Sequence, residues 1–513
     1  MKLTDVLHRD PARHPLVNQG QARIADKTTD KALEELRGEL STFVCEGQFA
    51  DGLQRILSSF LAGLNQTSQK ASWVSGFFGS GKSHLLKMAC HLWQDTRFPD
   101  GATARSLVPD MPEELRNLLR ELDTAGKRSG GLVAAAGALP SGSTDNVRLT
   151  VLGILFRGLD LPEQYPQAMF SLWLYEQEWF DQVKSIVEQA SKNWTSELNN
   201  LYVSGLIARA VLQCDPTFAA NEVEARKTIR EQFPQRTTDI TTEQFLTAFR
   251  RALKLRSSNG RWPCTLLVLD EVQQYIGDSN DRSTMVTEVA EAICKQLDSH
   301  VMVIGAGQSA LTDSRYLQKL MDRFTIRVPL SDTDVETVTR KVLLQKKPSA
   351  IPLVGQFLDA HGGEISRQLQ GTRIGETASD RDTIVDDYPL LPVRRRFWEQ
   401  CFRQVDAAGT QSQLRSQLRI IHDAVARLSD KELGAVVPGD DLFDALAPEM
   451  VNTGVLLREL NERIINLSKD GTEASRLARR VSGLVFLVSK LPRQDGVDIG
   501  VRATKEHLAD LLV

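Results

Sequence analysis

The stretch SGFFGSGKSHLLK, residues 75–87, constrains the fold of this chain more than any other. Gly76-Phe77-Phe78-Gly79-Ser80-Gly81-Lys82-Ser83 matches G-x-x-x-x-G-K-[ST] in full. Such a loop needs a strand before it and a helix after it, and both are legible. Ala71–Ser75 is a short apolar run, and Leu85, Leu86, Met88, Ala89, Leu92 and Trp93 recur as the buried face of a helix does. Glycines let the backbone wrap so that successive N–H groups point at phosphate oxygens, and the helix start adds the positive end of its dipole. Gly76, Gly79, Ser80, Gly81, Lys82, Ser83 and His84 are therefore the expected cradle. Lys82 is expected to reach the β- and γ-phosphates, and Ser83 to coordinate Mg2+.

A second signal bears on hydrolysis. TLLVLDEVQQ is an apolar run ending in Asp270-Glu271. At a strand end, one carboxylate can hold the magnesium shell while its neighbour polarises water, so Asp270 is assigned to the metal and Glu271 to the base. A strand meeting a surface loop gives the same pattern, but the complete phosphate loop upstream favours catalysis.

The third signal is VMVIGAGQSAL, an apolar strand running into Gly305, Gly307, Gln308 and Ser309. If this strand lies between the phosphate-loop strand and the acidic strand, a polar side chain at its end orients water. Gln308 is the first choice and Ser309 the second; a glycine turn with solvent-facing polar residues is the alternative. LMDRFTIRVPL supplies Arg323 and Arg327 around the expected last strand. Arg323 is the candidate to enter a neighbouring subunit's site and neutralise transition-state charge. An ordinary surface ion pair, worth about 0–1 kcal/mol, is its alternative. GTQSQLRSQLRIIHDAV places Arg415 and Arg419 on one helical face, with Arg415 expected to touch phosphate.

Continuous apolar runs at Cys264–Leu269 and Val301–Ile304, with a helical pattern at Thr284–Leu297 between them, predict an α/β fold with a parallel sheet covered on both faces. Leu132–Ala136 and Phe324–Leu330 are further strand candidates, and Phe49–Leu64 a helix. Residues 1–40, broken by Pro11 and Pro15, are expected as an extended arm or cap. The core then spans 41–333, with a tryptophan-rich helical insertion at about 140–263. A helical lid covers 334–430, with the acidic stretch Thr377–Tyr388 expected as a loop, and a small domain covers 431–513. The last residues, KEHLADLLV, carry no helix stop signal, as expected of the amino-terminal part of a longer protein.

Composition sets limits. The chain has 513 residues, 41% hydrophobic and 25% charged, and a net charge of -4, which excludes a uniformly basic nucleic-acid coat. DNA contact would need a local patch. Residues 394–427 carry seven arginines (Arg394, Arg395, Arg396, Arg403, Arg415, Arg419, Arg427) against three acids, and Arg476, Arg479 and Arg480 follow. A solvated helical face is the commoner reason for such a pattern, and a phosphate-binding surface is the weaker reading. Six scattered cysteines without a C-x-x-C pair fit a reducing, cytoplasmic setting, and no apolar run is long enough to span a membrane.

The ordered set of phosphate loop, Asp-Glu strand, polar strand end, late Arg-Phe and lid arginine resembles an AAA+ ATPase, closest to the origin-recognition (replication-initiator) branch. FADGLQRILSSFLAGL resembles that branch's leading helix, and the tail resembles its winged-helix domain, ending before the wing. DVLHRDPARHPLVNQGQARI, WVSGFFGSGKSHLLKM and LLVLDEVQQYIGD resemble more specifically the large P-loop ATPase of BREX bacteriophage-exclusion systems, the BrxC or PglY type. The resemblance implies ATP as the nucleotide with Mg2+, a homo-oligomer, other BREX components as partners, DNA association, and a bacterial cytoplasmic setting. It implies an ATP-switched remodeller or loader on DNA; the alternative is a nucleotide-dependent scaffold with little turnover. The insertion leaves the strand order open.

Overall fold

The computed structural model describes residues 1–12, 29–64, 66–76, 80–140, 146–236, 238–258, 260–308, 311, 314–330, 335–405, 414–494 and 496–512, with the side chains at 335 and 414–416 outside that set. The chain forms two compact units. A sheet unit comprises Ala22–Phe77 and Lys82–Leu330; a helical unit comprises Met1–Gln21, Phe78–Gly81 and Ser331–Val513.

In the sheet unit the elements run α1 (Asp30–Ser41), α2 (Gly47–Gly63), β1 (Ser72–Ser75), α3 (Lys82–Gln94), β2 (Leu132–Ala138), α4 (Val147–Gly158), α5 (Tyr165–Glu176), β3 (Cys264–Asp270), α6 (Val272–Ile276), α7 (Asn280–Gln296), β4 (Val301–Gly307) and β5 (Ile326–Pro329), with shorter or unlabelled helices between. The five strands are all parallel, in the order β2-β3-β4-β1-β5. The strand bearing Gln308 at its end thus lies between the phosphate-loop strand and the acidic strand, the order that the sequence left open and that a water-orienting role for its polar end requires. Every residue of β3 and β4 is buried, which accounts for their unbroken apolar runs: helices cover both faces, so neither has a solvent side to alternate toward. Each fully buried Leu, Ile or Val there contributes about 1.5–3 kcal/mol. Among the described residues, seven helices from Val147–Gly158 to Thr242–Lys254 lie between β2 and β3, and Phe170, Phe245 and Phe249 are fully buried among them.

The strand extends through GAG, which sets aside the alternative of a glycine turn there. Gly305 and Gly307 are strand residues, in register opposite Trp73 and Ser75 of β1. The Trp73 ring lies over both: a Cβ at Gly305 would come within 2.9 Å of Phe324, and one at Gly307 within 2.5 Å of Trp73. Trp73 and Phe324 meet edge to face at 5.7 Å. These glycines make room for an indole, which a turn would not require.

The amino-terminal segment is not an extended arm where it is described. Leu3–Val6 forms a helical turn in the helical unit, and Asp30–Ser41 a three-turn helix in the sheet unit. Leu3 and Val6 are fully buried, and backbone bonds fix their segment: Leu3 N–H to Lys431 O at 2.9 Å, Lys347 N–H to Val6 O at 2.9 Å, and His8 N–H to Gln345 O at 2.7 Å.

The helical unit includes α8 (Asp380–Asp387), α9 (Pro392–Val405), α10 (Leu414–Arg427), α11 (Asp441–Asn452), α12 (Arg458–Asn466), α13 (Glu473–Lys490) and α14 (Lys505–Leu512). Among its described residues there is no strand, only isolated bridges such as Lys2↔Glu432. One core, with Trp398, Phe443 and Leu484, runs through it. The expected acidic loop at Thr377–Tyr388 contains α8, because its acids are neutralised. Asp380 accepts from Thr377 N at 3.0 Å and takes both guanidinium nitrogens of Arg396 at 2.7 and 2.6 Å; Asp387 pairs with Arg340 at 2.6 Å.

Candidate functional site

Because the sheet is parallel, the carboxyl ends of its strands lie on one edge, and the functional groups converge there. β1 delivers Gly76, and α3 begins at Lys82. Ser83, in the first turn of α3, donates from Oγ to Asp270 Oδ2 at 2.9 Å. Asp270 closes β3 almost fully buried, and its Oδ1 accepts the Glu271 N–H at 2.8 Å. The two groups assigned to the metal from sequence are therefore in direct contact. A hydroxyl and a buried carboxylate joined this way are hard oxygen donors suited to Mg2+, which takes few protein ligands and completes its shell with water and phosphate.

Lys82 Nζ donates to Gly76 O across the loop's base. Burial lowers the pKa of its ammonium, and the Asp270 charge partly opposes the shift. Gly81 stands at φ +86°, in the left-handed region that glycine alone enters without penalty. Ser80 is buried, and its Oγ has no hydrogen-bond partner among the described residues, an orphan that a phosphate oxygen would satisfy. These features fit an Mg2+-nucleotide. Gly79, with Phe77 and Phe78, lies outside the described residues. His84 turns its ring edge onto Phe43 at 5.6 Å, so packing accounts for at least part of its role.

Glu271 precedes α6 in the left-handed region, φ 57° and ψ 24°. Its side chain is exposed, yet partial burial of the carboxyl, then the adjacent Asp270 charge, raises its pKa above the ordinary glutamate range. Gln308 is exposed at the tip of β4, and its N–H donates to Gln273 Oε1 at 2.7 Å. Gln273 was not foreseen from sequence. It sits two residues past Glu271 on α6 and fits because Gly307 carries no Cβ: one there would lie 3.1 Å from the Gln273 side chain. Ser309 lies outside the described residues.

The arginines are distributed differently. Arg323 is not brought to Asp270. Its carbonyl accepts the Ala71 N–H at 3.2 Å, at the amino ends of β1 and β5, and its guanidinium pairs with Glu291 of α7 at 2.8 Å with 31% of the side chain exposed. Arg327 is exposed on the edge strand β5. The Arg415 side chain lies outside the described residues, and Arg419 is exposed.

Six of the ten arginines weighed as phosphate ligands hold carboxylates or carbonyls of the same unit, two of them buried and the others in part-exposed ion pairs. Arg394 is fully buried and donates to Val437 O at 2.8 Å and Asp510 O at 3.2 Å, burial lowering its pKa to about 10. Arg395 is buried against Glu336 and Glu399. Arg427, Arg479 and Arg480 pair with Asp441, Asp444 and Asp440 at 2.9, 2.6 and 2.7 Å. Arg403, Arg419 and Arg476 remain exposed.

No helix among the described residues is long and apolar enough to cross a membrane. No known family model matches the chain.

Proposed function

We propose that the chain is an Mg2+-dependent ATPase of AAA+ type. The observation that carries the reading is the Ser83–Asp270 hydrogen bond at 2.9 Å, made where a G-x-x-x-x-G-K-S loop and an Asp-Glu strand meet on one sheet edge. The strand order, with the β4 tip between those two strands, supports it.

In this reading Lys82 and the loop amides hold the β- and γ-phosphates, and Ser83 and Asp270 hold Mg2+, which supplies charge neutralisation on the phosphates. Glu271 accepts a proton from the attacking water, and Gln308 orients that water, its backbone steadied by Gln273. His84 borders the cradle, while Arg323 and Arg415 act as the finger toward a neighbouring subunit and the lid contact. The similarity of the quoted phrases to BREX ATPases supports a place in a bacterial anti-phage complex, as a cytoplasmic homo-oligomer working on DNA with other BREX components. The resemblance of the tail to the winged-helix domain of the origin-recognition branch supports a winged-helix-like role for residues 431–513.

A slower, scaffold-like cycle is the second reading, favoured by the Arg323–Glu291 pair, which must open before Arg323 can serve a neighbour. Calorimetric titration of ATP with Mg2+ tests the primary claim: saturable binding to the full chain, weakened about a hundredfold or more by Lys82→Ala. Equal affinity in both proteins would remove the loop from the account.

A further inference from the structure

A second cleft opens on the carboxyl edge of the sheet, away from the phosphate loop. Its volume is about 630 Å3, within the range of small-molecule sites. It begins at Ala138, the last residue of β2, whose register partner is Asp270. Its walls come from one face of α4, the start of α5, and Gln235-Arg236.

The lining specifies a ligand chemistry. Helix α5 opens on Gln164, which provides no side-chain cap, so the amides of Tyr165 and Gln167 have no intrahelical acceptor and the dipole of a 12-residue helix ends at the cleft. Arg236 stands exposed, 5.9 Å over the Tyr165 ring, with no acidic partner among the described residues. Arg157, by contrast, is held by Glu163 and by Ala136 O, each at 2.8 Å. A contiguous cavity of about 200 Å3 shares Tyr165, Pro166 and Arg236 and is lined by Met169, Trp173 and Phe233. It is an aromatic slot beside an anion-attracting cleft.

We propose that the paired cavities bind a small anion that carries an aromatic ring, the chemistry of a mononucleotide. The anionic group sits on the α5 amides and Arg236, and the ring enters the slot. The site is distinct from the phosphate loop and independent of hydrolysis there.

The test is calorimetric titration of AMP into the full chain carrying Lys82→Ala, which removes the phosphate loop from the readout. Saturable binding is expected, weakened about tenfold or more by Arg236→Glu and less by Arg236→Gln. Adenosine, without the phosphate, and inorganic phosphate, without the ring, should each bind about tenfold more weakly than AMP. Absence of saturable AMP binding, or AMP affinity unchanged in both Arg236 variants, overturns the proposal. So does binding of an acidic peptide with none of AMP.

Discussion

At the scale of single residues, Glu271 is where geometry and chemistry meet. A non-glycine residue in the left-handed region costs about 1–2 kcal/mol, and the hydrogen bond from its own N–H to Asp270 helps hold it there. Strain of this kind fits the proposed role of Glu271 as a fixed carboxylate, although it also occurs at residues with no place in the site, such as Asp95 and Glu178. Its raised pKa has a signed consequence. The base works only when ionised, so kcat/KM, which reports the nucleotide-free protein, should fall on the acid side at a pH above the ordinary glutamate range, because the proton returns to a carboxyl that burial and Asp270 make reluctant to stay charged. A pH profile of kcat/KM checks this; an acid limb at or below the ordinary range would contradict the role. The sequence made Lys82, Ser83, Asp270 and Glu271 legible because each chemistry demands a residue type at a fixed place on a strand or loop. Gln273 was not legible, since nothing in VQQ says which amide faces Gln308. Trp73 opposite Gly305 becomes readable only once β1 and β4 are known to be neighbours.

At the scale of elements, the continuous runs of β3 and β4 were readable because both faces are buried, while α8 was missed because charge neutralisation by Arg340 and Arg396 involves residues distant in sequence. Another such long-range device holds the phosphate-loop helix. Lys87 of α3 and Glu39 of α1 pair at 2.8 Å with only 7% and 3% of their side chains exposed. Removing one partner leaves a buried charge uncompensated, so Lys87→Met should destabilise the sheet unit by about 3–5 kcal/mol, whereas Lys87→Met with Glu39→Leu should recover most of that loss. Chemical denaturation of the four proteins in this cycle checks it. Equal stability of Lys87→Met and the parent would mean that the pair does not anchor α3.

At the scale of the whole molecule, each unit has its own buried core. A change of hydrophobic period near residue 335 is legible in the sequence, close to Leu330 where the sheet unit ends, but the joining of Met1–Gln21 to the helical unit is not. Nor are the partners of the helical part's arginines: charge counting cannot distinguish a solvated guanidinium from one tied to a distant carboxylate or carbonyl. Arg323 raises the question of assembly. If it serves a neighbouring subunit, Lys82→Ala protein has a dead site but an intact finger, and Arg323→Ala protein the reverse. Each alone should hydrolyse ATP poorly, and mixing them should restore a substantial fraction of turnover. A mixture no more active than the sum of its parts would mean that sites are not shared through Arg323.

The central claim, that this chain binds ATP through its glycine loop and hydrolyses it with Glu271, is tested most directly by comparing Mg2+-ATP turnover and ATP affinity in the full chain and in Glu271→Gln. The account predicts that the variant keeps parental affinity and loses about 10²–10⁴-fold in turnover, the usual loss when a positioned general base is removed. Parental turnover in Glu271→Gln would contradict it.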